Sequence, residues 1–173
     1  ARRILATHLS MTRDAVRRGA RFVLWPESAT PFMFEEDKPG GEAVRALARD
    51  SAIIVSVDTS RPEIMEQAVA EGAAIINDVR ALQGRGALAA VARSGAAACL
   101  MHMRGQPENM QLLVHYEDVV SEVRGFLAMR LAACQDAGIE AERLCVDPGF
   151  GFGKLAQHNL ELLRNLGELL ELD

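Results

Sequence analysis

Short apolar runs rich in β-branched residues alternate along this chain with longer stretches whose apolar residues recur every three or four positions. These are the signatures of buried strands and amphipathic helices. The runs fall at Phe22 to Trp25, Ile53 to Val57, Ala73 to Asn77, Ala97 to Met103 and Arg143 to Val146. Helices are expected near residues 4–18, 41–50, 62–71, 86–94, 116–137 and 158–172. In RRGA, AEGA, SGAA and DAGI a glycine stands just past a helix and just before a strand, where a left-handed residue closes the last turn.

The order is a helix followed by five βα units, and strands hydrophobic on both faces imply a parallel sheet covered by helices. The fold class is therefore α/β. A doubly wound sheet and a (β/α)8 barrel compete, and a complete barrel takes about 250 residues and eight strands. The expectation is a partial (β/α)8, TIM-barrel-like parallel sheet of about five βα units. Residues 1–173 read as a single α/β domain, with 1–48 an atypical N-terminal βα unit and 49–173 the main part. Sheet edges left unpaired would make a homodimer or aggregation unsurprising. The chain starts at Ala1 rather than Met, and LELLRNLGELLEL runs up to Asp173 without a stop signal, which reads as a fragment or a chimera.

At 173 residues and 49% hydrophobic content the chain can bury one sizeable core. No apolar run approaches the roughly 18 residues of a membrane span, and the N-terminal stretch is too charged for a secretory signal, so no membrane partner and a cytoplasmic location are expected. A formal net charge of -5 and dispersed arginines argue against a nucleic-acid partner. Cys99, Cys134 and Cys145 are odd in number, without a CxxC or Cys/His cluster, and read as buried small hydrophobes rather than as a disulfide framework or a metal site.

Ligands of parallel α/β sheets bind where the strands end at their carboxyl side. Four polar clusters stand there: Asp58-Thr59-Ser60, Asn77-Asp78, His102-Met103-Arg104-Gly105 and the run from Asp147 to Lys154, DPGFGFGK. Each alone has a bland reading, since an Asp or Asn at a strand end is commonly the cap of the next helix. GFGFGK lacks the spacing of a P-loop or a dinucleotide fingerprint. Recurrence at successive strand ends is harder to explain by caps, which need no Asn, two Asp and a flexible Gly/Phe loop on one face.

The strings VSVDTSRPEIMEQAVAEGAAIINDVRAL, CLMHMRGQPENMQ and LCVDPGFGFGKLAQHNLELLRNL resemble dihydropteroate synthase in order, spacing and sequence. The resemblance implies a (β/α)8 barrel that condenses 6-hydroxymethyl-7,8-dihydropterin diphosphate with p-aminobenzoate, a transferase step of folate biosynthesis. By the same resemblance Asp58, Asn77 and Asp147 hold the pterin ring, Met101 lies against it, and Gly151 and Phe152 belong to the loop beside it, Phe152 toward the aminobenzoate. Asp147 is expected to accept from the guanidine-like donor edge of the pterin, while an Asn amide can both donate and accept. No residue is singled out as catalytic. The family's reaction is loss of a diphosphate leaving group with amine attack, which depends on positioning and charge stabilisation rather than on a side-chain nucleophile.

Three departures from the family pattern stand out. The first-strand Asn-Val-Thr-Pro-Asp-Ser-Phe motif that serves Mg2+ and diphosphate has no counterpart, so Mg2+ is implied by the family while no metal ligand is assigned. The Lys-Ser and Arg-x-His motifs of the last two strands are absent too, leaving Lys154 and Arg104 as cations in reach of the diphosphate, both expected to be solvated surface charges. Finally, HLSMTRDAVRRGARFVLWPESATPFMFEED resembles the nitrilase-like domain of apolipoprotein N-acyltransferase, which would make Glu27 a general base, but the matching Lys and Cys do not follow. GARFVLWPESATP also has the layout of the synthases' second βα unit. The alternatives to a weak or truncated synthase are a non-catalytic pterin-binding module, an inactive chimeric scaffold and, last, an N-acyltransferase fragment.

Overall fold

The computed structural model describes residues 2–20, 23, 38–50, 54–106, 109–112 and 114–172. The expected strand over Phe22 to Trp25, Val23 excepted, lies outside the described residues, and so does Glu27. The chain divides into two compact units, Ala1–Val55 with Glu71–Ala73, and Ser56–Ala70 with Ala74–Asp173. In the first, α1 (Arg2–Arg17) and α2 (Lys38–Asp50) meet through Leu5, Leu9 and Leu47, with Ala43 and Val44 beside them.

The second unit holds β1 (Ser56–Asp58), α3 (Pro62–Ala70), β2 (Ile75–Asp78), α4 (Ala87–Ser94), β3 (Ala97–Met101), α5 (Val119–Asp136), β4 (Leu144–Asp147) and α6 (Ala156–Arg164), and ends in a 3-10 turn, Leu166–Glu171. All four strands are parallel and lie in the order β1-β2-β3-β4. A doubly wound sheet reverses its strand order at a switch point. Strands that follow one another in chain order with helices between them have the winding of a barrel, which decides between the two architectures in favour of the partial barrel.

Local sequence explains the elements. The Asp118 carboxylate accepts from the Ser121 amide at 3.0 Å and caps α5, and Val119, Val123, Leu127, Leu131 and Cys134 then recur on one buried stripe. Each fully buried Val or Leu of that stripe contributes roughly 1.5–3 kcal/mol. The glycines of RRGA, AEGA, SGAA and DAGI all have positive φ, between 77° and 104°.

Successive side chains of a strand point to opposite faces. Ile76, Ala98 and Leu100 are buried against the helices, with Val57, Leu144 and Val146 packed around them. The other parity carries Ser56, Asp58, Ile75, Asn77, Ala97, Cys99, Met101, Cys145 and Asp147, so the polar strand-end residues share the face that the helices do not cover.

Asp78 has the helix-facing parity and is fully buried. Its carboxylate accepts from Ser60 Oγ, from the Arg80 amide at 2.9 Å and from the Leu82 amide at 2.8 Å. It thereby holds a turn in which Ala81 (φ 49°) and Leu82 (φ 57°) are both left-handed. Each such non-glycine residue costs on the order of 1–2 kcal/mol and persists only if its surroundings enforce it. Arg130 of α5 enforces it further, Nε donating to the Ala81 carbonyl at 2.8 Å and Nη2 to that of Leu82 at 3.4 Å. Arg130→Met is therefore expected to lose about 1–2 kcal/mol of stability, read as a lower midpoint in urea unfolding. An unchanged midpoint rules out the clamp.

Candidate functional site

Two rungs of the sheet build the site. In the lower one Asp58, Asn77, Cys99 and Cys145 are register partners from strand to strand; in the upper one Met101 faces Asp147. Asn77 Nδ2 donates to Asp58 Oδ2 at 2.8 Å, which fixes both side chains. The amide oxygen, Asn77 Oδ1, is buried and has no hydrogen-bond partner among the described residues. An orphaned buried acceptor costs on the order of 1–3 kcal/mol, so this oxygen offers a place for a ligand's N-H donor.

Asp147 accepts from the Gly149 amide through Oδ1 at 2.7 Å, and its main-chain oxygen accepts from the His102 amide at 2.9 Å. No hydrogen bond reaches its Oδ2 among the described residues. The loop that follows, from Pro148 to Lys154, folds across the end of β3. A Cβ at Gly149 would lie 2.0 Å from the His102 carbonyl oxygen and 3.2 Å from Met101 Cγ, and one at Gly153 would lie 2.9 Å from the Arg104 carbonyl oxygen. Two glycines thus let one backbone press directly on another, and Met101 is buried beneath them. The exposed Gly151 is held at both ends, its amide donating to Asn159 Oδ1 and its carbonyl accepting from Gln111 Nε2, each at 2.9 Å. Phe152 is half-buried on the same loop.

Lys154 is not a solvated surface charge: it is 4% exposed. Its Nζ donates to His102 Nδ1 (2.9 Å) and to the carbonyls of Gly149 (2.9 Å), Phe152 (3.1 Å) and His102 (3.3 Å). Burial pulls its pKa down to about 8, with Arg104 pulling the same way and Asp147 opposing. Burial likewise, with Lys154 next, lowers His102 to about 3, which keeps the imidazole neutral and Nδ1 an acceptor. Arg104 is also engaged, pairing with Glu122 and lying 4.2 Å over the Tyr116 ring. Both cations were expected free because a lysine after a glycine-rich stretch normally reaches water; here the loop's own carbonyls close around the ammonium.

The expected residues therefore fall into two groups. Asp58, Asn77, Met101 and Asp147 stand on one face of the sheet, and Gly151 and Phe152 lie on the loop that leaves the upper rung. None lines the small cavity of about 120 Å³ formed by Val79, Arg80, Gln83, Met103, Gln106 and Phe126. Sequence reasoning missed His102 and Asn159 as supports of the loop. The cysteines also differ from expectation, since only Cys134 is buried, Cys99 is intermediate and Cys145 is exposed. Their strand parity, shared with Asp58, was the available signal. Among the described residues no three His, Cys, Asp or Glu side chains converge on one point, and no step is routed through Mg2+. No described helix is long and apolar enough to cross a membrane.

The model of the family described as pterin binding enzyme matches residues 35–173. The dihydropteroate synthase of Escherichia coli K12 is 47% identical over 125 residues, which are 72% of this chain and 44% of that protein. That of Neisseria meningitidis serogroup C is 47% identical over 164 residues, 94% of this chain and 55% of that protein, so the similarity extends into the first 37 residues. The chain spans about half the length of these curated relatives. Among solved structures, the Stenotrophomonas maltophilia dihydropteroate synthase with active-site-bound imidazole superposes with a TM-score of 0.83 at 41% identity, over 97% of this chain and 64% of that one. The Xanthomonas albilineans enzyme in complex with 7,8-dihydropteroate gives 0.80 at 38% identity, over 97% and 62%.

Proposed function

Because the chain belongs to the family of pterin-binding enzymes, we propose that its uncovered sheet face holds the pterin of a dihydropteroate synthase reaction. The observation that carries this reading is the buried Asn77 Oδ1, unpartnered among the described residues, beside Asp58 and one rung below the Asp147 carboxylate. A pterin edge offers adjacent N-H donors and a carbonyl. Asp147 Oδ2 accepts from the donor edge, Asn77 Oδ1 accepts a further N-H, and Asp58 orients the Asn77 amide. Met101 forms the apolar floor, and Gly151 and Phe152 bring the loop to the side where p-aminobenzoate enters.

In that reaction the aminobenzoate amine attacks the pterin methylene while its C-O bond to diphosphate breaks, and the amine proton goes to solvent or to the leaving group. The described residues contribute orientation, which removes a large entropic part of the barrel-bound barrier. Lys154 and Arg104 are committed to loop carbonyls and to Glu122, so neither receives the diphosphate. That engagement favours a second reading, a pterin-binding module with weak or no turnover. We also place the protein in the cytoplasm. The exposed Leu160, Leu163 and Leu170 support a homodimer.

Titration calorimetry with 6-hydroxymethyl-7,8-dihydropterin diphosphate tests the reading. Saturable heat is expected, and Asn77→Ala is expected to weaken binding about 10- to 100-fold, equivalent to roughly 1.5–3 kcal/mol. No heat and no thermal shift at ligand concentrations on the order of 1 mM would remove the pterin from consideration. Adding p-aminobenzoate and measuring dihydropteroate then separates the synthase from the binding module.

A further inference from the structure

Cys99 and Cys145 are register partners on β3 and β4, on the face that the helices leave open. Each thiol shifts the titration of the other, and the Cys145 thiol leans toward β3, Sγ donating to the Ala98 carbonyl oxygen at 3.6 Å. Neighbouring strands run about 4.8 Å apart, inside the Cα separation of roughly 4.4–6.8 Å that a disulfide accepts. The backbones therefore already stand at bridging distance. Cys134 faces the helix-side core and belongs to neither strand. Among the described residues no third ligand joins the pair, so it lacks the closed shell of a zinc site.

We propose that Cys99 and Cys145 form a dithiol that a hydroperoxide oxidises reversibly to an intrachain disulfide, a modification site in the floor of the sheet face. The Cys145 thiolate attacks the peroxide; the O-O bond breaks, an S-O bond forms, and the departing alkoxide takes a proton and leaves as alcohol, or as water from hydrogen peroxide. Cys99 sulfur then attacks the Cys145 sulfenic acid. The S-S bond forms as the S-O bond breaks, and the Cys99 proton leaves with the hydroxide as water. Two thiols lose two electrons and the peroxide gains them.

The roles follow from the environment. The neighbouring Cys99 lowers Cys145 to about 7, against burial and Asp147, which raise it. Cys145 in turn, with burial, Asp147 and Asp58, pushes Cys99 up. An exposed, thiolate-prone cysteine beside a protonated neighbour is the arrangement of a peroxide-reactive thiol with its resolving partner. Nothing in this depends on the pterin, so its failure leaves the pterin reading standing, and the reverse.

The test treats the reduced full chain with equimolar hydrogen peroxide at neutral pH, then reads intact mass and counts thiols in denaturant. The mass is expected to fall by two hydrogen atoms per monomer and the titratable thiols from three to one, with peptide mapping locating the survivor at Cys134 and dithiothreitol restoring all three. Cys134→Ser gives the same bridge, Cys99→Ser stops at a sulfenic acid that dimedone traps, and Cys145→Ser forms no bridge. Three surviving thiols, a bridge between two chains, or a bridge to Cys134 overturns the proposal from the wild-type protein alone.

Discussion

Gly149→Ala is expected to lose about 4 kcal/mol or more, or to release the Asp147–Lys154 loop from the sheet altogether. The new Cβ would stand 2.0 Å from the His102 carbonyl oxygen and 3.1 Å from its carbon, with φ at +67°. Both obstacles are backbone, so no side chain can swing aside. The His102 amide is itself hydrogen-bonded to Asp147 at 2.9 Å, which ties the obstructing strand end to β4. Strain from a left-handed alanine alone is on the order of 1 kcal/mol; the overlap supplies the rest. Gly151→Ala is the internal control, because Gly151 also has positive φ (+85°) but meets nothing within 4 Å, and it should cost only about 1 kcal/mol. Chemical unfolding of the two variants side by side decides the matter: equal losses mean that φ, not the close approach, makes Gly149 necessary.

The same loop shows how far a one-dimensional pattern reaches. The shared face of Asp58, Asn77 and Asp147 was legible because a parallel sheet gathers its strand ends at one rim, and because alternate residues of a strand point the same way. The order β1-β2-β3-β4, which separates a barrel from a doubly wound sheet, was not legible, since both architectures use the same alternation of elements. Boundaries moved where capping prevailed over periodicity. Helix α5 starts at Val119 rather than at 116 because Asp118 caps it, and the expected helix over 158–172 begins at Ala156 and breaks after Arg164 into a 3-10 turn around Gly167. Strand β3 stops at Met101 instead of Met103, since there the backbone meets the loop from β4. Side-chain environments made by distant backbone were beyond the sequence: nothing in GFGFGK says that its lysine turns inward onto His102, 52 residues earlier in the chain.

That inward lysine makes the loop an electrostatic device, and the geometry and the protonation states support one another. An ammonium has three hydrogens and here faces four acceptors, the carbonyls of His102, Gly149 and Phe152 and the His102 ring nitrogen. The ring can accept only while neutral, and the cation beside it helps to keep it so. The Lys154 hydrogen bonds to His102 thus add to the close approach of Gly149 and Gly153 in tying the loop to the end of β3.

Lys154→Met, which keeps the length of the side chain and removes the charge, is accordingly expected to lose about 2–3 kcal/mol at pH 7, since three buried carbonyls lose their donor while the cost of burying a cation is relieved. The pH dependence identifies the cause. Lys154 titrates near 8 in the folded chain against 10.5 for an ordinary lysine, so between those values the unfolded chain binds more protons and wild-type stability rises with pH, by at most about 1.4 kcal/mol per unit. His102 titrates near 3 against 6.5; between those values the unfolded chain again binds more protons, and stability falls as acid is added below 6.5. Arg104 lowers both groups, Asp147 raises Lys154 and Glu122 raises His102. In Lys154→Met the alkaline rise attributable to this group is absent. The acid loss becomes shallower, because His102 no longer has a cation 2.9 Å away. Urea unfolding of both proteins at about pH 5, 7 and 9.5 reads the two slopes, and parallel stability curves at a constant offset would show that Lys154 acts by shape and not by charge.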